Sequence, residues 1–133
     1  MISDDVNTLL RDCIESFEQL EILLLLHRRP GEAWTPDTVA TATTLKLSLD
    51  VADDTLAHLH RWKLIEGESR VYRYNPANRL DATIRALAAV YEDDRLEVMK
   101  IMNQNAIERV RTSALRAFAD SFFVGKGGKK SDG

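Results

Sequence analysis

A mainly helical chain with one small β-hairpin is what the sequence predicts, and three observations carry that prediction. Apolar residues recur at spacings of three and four along most of the chain, while β-branched and aromatic residues gather around a glycine only between Leu64 and Tyr74. Cap residues stand at Thr35, at Ser48 or Asp50, and at Asn105. With 133 residues, 44% of them hydrophobic, the chain is of one-domain size and can bury a core.

Residues 4–29 read as helix with a break near Glu15 or Ser16, and its greasy second half, Ile22 to Leu26, calls for neighbours on several sides. Arg28 and Arg29 suit its carbonyl end, and Pro30-Gly31 stops it. Thr35-Pro36-Asp37 is the clearest helix start: a cap, a residue with no N–H to satisfy, and an acid at the positive end of the dipole. Thr41, Thr43 and Thr44 weaken that short helix, with Val39, Ala40 and Leu45 facing inward. A turn through Lys46 to Leu49 leads to a cap at Ser48 or Asp50 and a third helix of about three turns, with Ala52, Leu56 and Leu59 inward. The hairpin follows, turning around Gly67.

Beyond Asn78 the residues Leu80, Ile84, Leu87, Tyr91, Asp94, Val98, Ile101 and Asn105 form a heptad-like stripe. Asp94 interrupts it and either marks a bend or fixes register with a basic partner. Asn105 and Glu108 suggest a capping-box restart, after which Ile107, Val110, Ala114, Phe118 and Phe122 face one way until Gly125. The expected organisation is therefore 1–78, 79–124 and a flexible basic tail over 125–133.

Composition excludes several functions. Acids outnumber bases 21 to 18, so the chain is no general polycation and any nucleic-acid surface is local. Residues 95–133 are the positive region, with 8 basic and 4 acidic groups. The single Cys13 forms no internal disulfide and no thiolate zinc site, and is expected simply to pack. His58-x-His60 places two rings on nearly opposite sides of a helix, where they cannot grip one ion. Neither a Gly-rich phosphate loop nor an activated nucleophile is present, and Asp53-Asp54 and Asp93-Asp94 diverge on a helix, so no enzyme and no cofactor is expected. No apolar run approaches the ~20 residues that span a bilayer. Ser3-Asp4-Asp5 does not read as a secretory start, so a soluble cytoplasmic protein is expected.

The stretch Ala52-x-x-x-Leu56-x-x-Leu59-x-x-x-x-Leu64-Ile65, with the hairpin ending in Tyr72-Arg73-Tyr74, resembles the recognition helix and wing of bacterial winged helix-turn-helix regulators of the MarR-like and PadR-like groups. The resemblance covers roughly residues 17–76 and implies a winged helix-turn-helix domain followed by C-terminal dimerisation helices. It implies a homodimeric transcriptional regulator that binds double-stranded DNA. Lys46, Ser48, Thr55, His58 and Arg61 would face the groove, and Arg70 and Arg73 would line the wing. Leu80, Ile84, Leu87, Tyr91, Val98, Ile101, Phe118 and Phe122 would form the dimer contact. Such regulators carry Gly ahead of the Leu-Ile pair; this chain has Lys63, for which a left-handed exit is costly, so a different exit is expected.

Trp62 reads as a half-buried plug and Trp34 as a staple at the following helix start, or either as an aromatic wall for a small-molecule effector. Tyr72 and Tyr74 are expected to close the core while Arg73 faces solvent. Asp50, Asp53 and Asp54 at the front of the third helix support an alternative, a protein-interaction module that recognises a basic partner and binds no DNA.

Overall fold

The computed structural model describes residues 2–43 and 46–131, with side chains through residue 121. Leu45 and the Phe122 side chain, both given roles above, fall outside the described residues, as do residues 132–133. The chain is mainly helical with one small two-stranded antiparallel sheet. It divides into two compact units, Met1–Met102 and Asn103–Gly133.

The first stretch breaks where polar residues allow it. Helix α1 (Asp4–Asp12) ends at Cys13, and α2 (Phe17–Arg28) starts at Ser16, whose hydroxyl accepts from the Gln19 N–H at 3.1 Å. Gln19 answers by accepting from the Glu15 N–H at 2.8 Å. Ile22 to Leu26 are all buried, as an enclosed helix requires. Cys13 is buried too, and desolvation with Glu15 and Asp12 nearby pushes its thiol up to about 12, so it packs as a small apolar group.

Helix α3 (Pro36–Ala42) opens on a reciprocal capping box between Thr35 and Thr38, and α4 (Leu49–Arg61) on Ser48, which accepts from the Val51 N–H at 3.2 Å. Its inner side is Ala52, Thr55, Leu56 and Leu59, all buried against α2 and α3. At its far end Lys63 N–H donates to His60 O at 2.9 Å and Leu64 N–H to Leu59 O at 3.1 Å. That is a Schellman ending, and it puts Lys63 at φ 63°. The left-handed exit expected to be excluded is thus adopted, at a cost of roughly 1–2 kcal/mol for a residue with a Cβ.

Strands β1 (Ile65–Glu68) and β2 (Val71–Tyr74) pair with Glu68 opposite Val71, so the turn is Ser69-Arg70 and not Gly67. Ser69 and Arg70 both have positive φ, 57° and 64°, the backbone of a tight hairpin turn. Gly67 instead sits in β1 at φ 146°, pressed against the β2 backbone. Trp34 adds one more extended residue beside β2: its N–H donates to Tyr72 O at 2.6 Å and its carbonyl accepts from Tyr72 N–H at 2.8 Å. Leu64, Ile65, Tyr74 and Trp34 are all essentially buried, fastening the hairpin to the helical base.

The stripe after residue 78 is broken at Asp94. Helix α5 (Asp81–Asp93) ends there, and Asp94 Oδ1 accepts from the Glu97 N–H at 3.3 Å to start α6 (Arg95–Ser131). Of the two readings of Asp94, the bend is the one found. No restart occurs at Asn105, and α6 runs past Gly125, contrary to both expectations. The assignment of this stripe to a dimer contact is also corrected. Ile84, Leu87, Tyr91 and Val98 are buried within the first unit, because α1 presents Val6, Leu9 and Leu10 and α5 covers them. Leu80 and Ile101 are half-buried against the same core.

A cluster at the core edge ties the fold to one ionised carboxylate. Tyr74 OH donates to Asp81 Oδ1 at 2.5 Å, and Arg85 reaches the other oxygen at 3.2 Å, so the Asp81 carboxyl is held below its ordinary value chiefly by Tyr74. A carboxylate depressed in the folded state contributes stability above its unfolded pKa, near 3.9, and loses it as pH falls through the lower folded value. Urea midpoints of the wild type should therefore drop on acidification below about pH 4 more than those of Asp81→Asn.

Candidate nucleic-acid interface

The outer side of α4 carries Asp50, Asp54 and Arg61 exposed and Asp53, Ala57 and His58 partly so. These positions recur at three and four, so they form one face, acidic at its start and basic at its end. Each site residue expected from sequence has a definite place around it.

Thr55 is corrected: at 5% exposure it belongs to the inner side and reads no groove. Its spacing from Ala52 and Leu59 carried that signal, and its polar type masked it. His58 is corrected as well, since its Nε2 lies 2.7 Å from the Cys13 carbonyl and braces α4 against the α1–α2 hinge. Ser48 is exposed, but its hydroxyl caps α4. Lys46, Arg61 and Arg73 are exposed, and none of them forms an ion pair among the described residues.

Arg70, at the hairpin turn, is held by a residue that sequence reasoning placed in opposition to it. Its Nε and Nη2 donate to the two Asp53 oxygens at 3.2 and 2.5 Å, a bidentate pair linking the hairpin tip to α4. Asp53 raises the Arg70 guanidinium pKa further, so the charge is permanent. The two residues lie 17 positions apart, and nothing local in the sequence signals the pair. Beside it Leu49 and Val71 are exposed at 53% and 41%, which gives the start of α4 an apolar as well as acidic character.

Trp34 is inside the core, with Arg29 over its ring at 5.9 Å, and Trp62 is half-buried at the end of α4. A cleft of about 760 Å³ lies between α2 and the α5–α6 bend, but neither tryptophan lines it. There Tyr91 OH donates to Glu21 at 2.5 Å beneath Arg95, and burial followed by Glu21 pushes the phenol up to about 12. Among the described residues no group of His, Cys, Asp and Glu side chains could hold a metal ion, and no helix is long and apolar enough to cross a membrane. Comparison with protein families, curated proteins and solved structures gave no match.

Proposed function

We propose that the chain is a winged-helix transcriptional regulator, not an enzyme, that binds duplex DNA as a homodimer in the cytoplasm. The observation that carries this reading is α4 itself, glued by Leu56 and Leu59 on one side and exposed at Asp50, Asp54 and Arg61 on the other, with a hairpin beside it. Lys46 and Arg73 supply phosphate contacts, and Arg61 reaches a base edge. The acids at the front have defined parts: Asp50 sits in the first turn of α4, where it favours the helix dipole, and Asp53 holds Arg70 until a phosphate replaces it. Asp54 can accept from a cytosine amino group. The described exposed apolar residues of the second unit supply the dimer contact.

The test is retention of genomic duplex fragments by the intact protein. Arg73→Ala should weaken retention across all sequences and lower the salt slope by about 1, as loss of one phosphate contact does. Arg61→Ala should in addition relax preference at one position, by about 1–3 kcal/mol.

A second reading is favoured by one observation, the exposed Leu49 beside Asp37 and Asp50, with the acidic Asp54 one turn on. That surface suits a basic protein segment with apolar side chains. It predicts binding to such a segment that Asp50→Asn with Asp54→Asn abolishes, and no retained duplex at low salt.

A further inference from the structure

At the opposite end of α4 from its acids lies a cleft of about 430 Å³, lined by Arg61, Trp62, Lys63, Asn75, Asn78 and Arg79 together with Ala77. Three cations border it and no carboxylate does. Among the described residues none of Arg61, Lys63 and Arg79 forms an ion pair, in contrast to Arg70 and Arg85. Like charges gathered without a counter-charge repel one another, and an anion between them relieves that repulsion.

The floor is rigid. Asn75 donates to the Lys63 carbonyl at 3.1 Å and accepts from the Ala77 N–H at 3.1 Å. Asn78 donates to the Asn75 carbonyl at 2.7 Å and accepts from the Leu80 N–H at 2.8 Å. A second, independent observation concerns the backbone. Lys63 occupies a left-handed position, φ 63°, that glycine would fill without strain. Backbone strain kept at one residue whose side chain lines a cleft points to a use for that side chain.

We propose that this cleft binds a small phosphate-bearing ligand of mononucleotide size, its phosphates between Arg61, Lys63 and Arg79 and its ring against Trp62. The volume lies within the range of small-ligand pockets, and guanidinium groups suit phosphate oxygens by their paired donors. The site is separate from the hairpin tip and does not depend on DNA binding. Arg61 also belongs to the outer face of α4, so the test rests on Lys63 and Arg79.

The intact protein is titrated with ADP, pyrophosphate and adenosine at low ionic strength, with calorimetry and tryptophan fluorescence as readouts. Saturable binding of one ADP per chain is expected, with quenched fluorescence and adenosine weaker by about tenfold or more. Lys63→Gly should weaken ADP about tenfold while raising the melting temperature, so that lost binding cannot come from lost fold. Arg79→Ala should weaken it similarly, and Lys46→Ala should not. Equal binding of adenosine and ADP, unchanged affinity in Lys63→Gly and Arg79→Ala, or no saturable binding of either phosphate probe would each overturn the proposal. Loss of duplex retention in those two variants, with no phosphate probe bound by the wild type, would reassign the cleft to the DNA backbone.

Discussion

If the chain pairs as proposed, replacing Ile107 and Val110 together by Glu should yield a monomer, raising the dimer dissociation constant by about a thousandfold or more. Within the second unit Ile107, Val110, Leu115 and Phe118 are 56%, 69%, 63% and 68% exposed, an amount of apolar surface that a helix does not keep uncovered in water. Ile107, Val110, Ala114 and Phe118 follow spacings of three and four, so they share one stripe, the form in which two helices pack. Burying such a side chain is worth about 1.5–3 kcal/mol, and a two-fold contact counts each substitution twice. Two carboxylates per chain in the seam add their own desolvation and mutual repulsion. Sedimentation at micromolar concentration reads the result, twice the chain mass for the wild type and the single mass for the variant. A monomeric wild type would remove the dimer from the proposed function.

Gly67→Ala should cost about 2–5 kcal/mol and detach the hairpin, a large share of the 5–15 kcal/mol typical of a domain. A Cβ there would lie 2.0 Å from the Val71 carbonyl oxygen and 2.9 Å from Tyr72 Cα, both backbone atoms that cannot rotate away. The φ of 146° adds strain for any residue with a side chain. Opening β1 from β2 also pulls Ile65 away from its partner Tyr74, both buried, so the loss spreads to the core edge. Denaturant midpoints measure the cost, and amide exchange at Glu66 and Arg73, which face each other across the two strands, locates it. A variant as stable as the wild type would mean that the two strands do not pair in this register.

The starts of α3 and α4 were legible because they rest on local chemistry. Thr35-Pro36, and Ser48 as one of two candidates with Asp50, offered a side-chain acceptor ahead of a periodic run, and Thr35 and Ser48 each cap a helix; Ser16, read only as one of two places for a break, caps α2. The inward set Ala52, Leu56 and Leu59 followed from spacing alone, and all three are buried. The hairpin turn was not legible, because composition favours Gly67 whereas pairing of Ile65 with Tyr74 forces Ser69 and Arg70 into left-handed backbone. The stripe from Leu80 misled for a different reason: periodicity reports that a face is apolar, not whether its cover comes from the same chain. Ile84, Leu87 and Val98 are covered by the chain's own helices, whereas Ile107 and Val110 stay exposed. Among site residues, Lys46, Arg61 and Arg73 stand where exposure was expected. Thr55 and His58 were displaced by contacts with the interior, and the Asp53–Arg70 pair and the Arg61–Lys63–Arg79 cleft depend on tertiary approach that spacing cannot express.

Footprinting of the dimer on a duplex at low salt bears most directly on whether α4 reads DNA with its outer side. Two protected half-sites with centres about 10–10.5 base pairs apart, or a multiple of that, are expected from two symmetric copies of α4. Absence of any protection, with the dimer intact and the salt low enough for phosphate contacts to form, would contradict it.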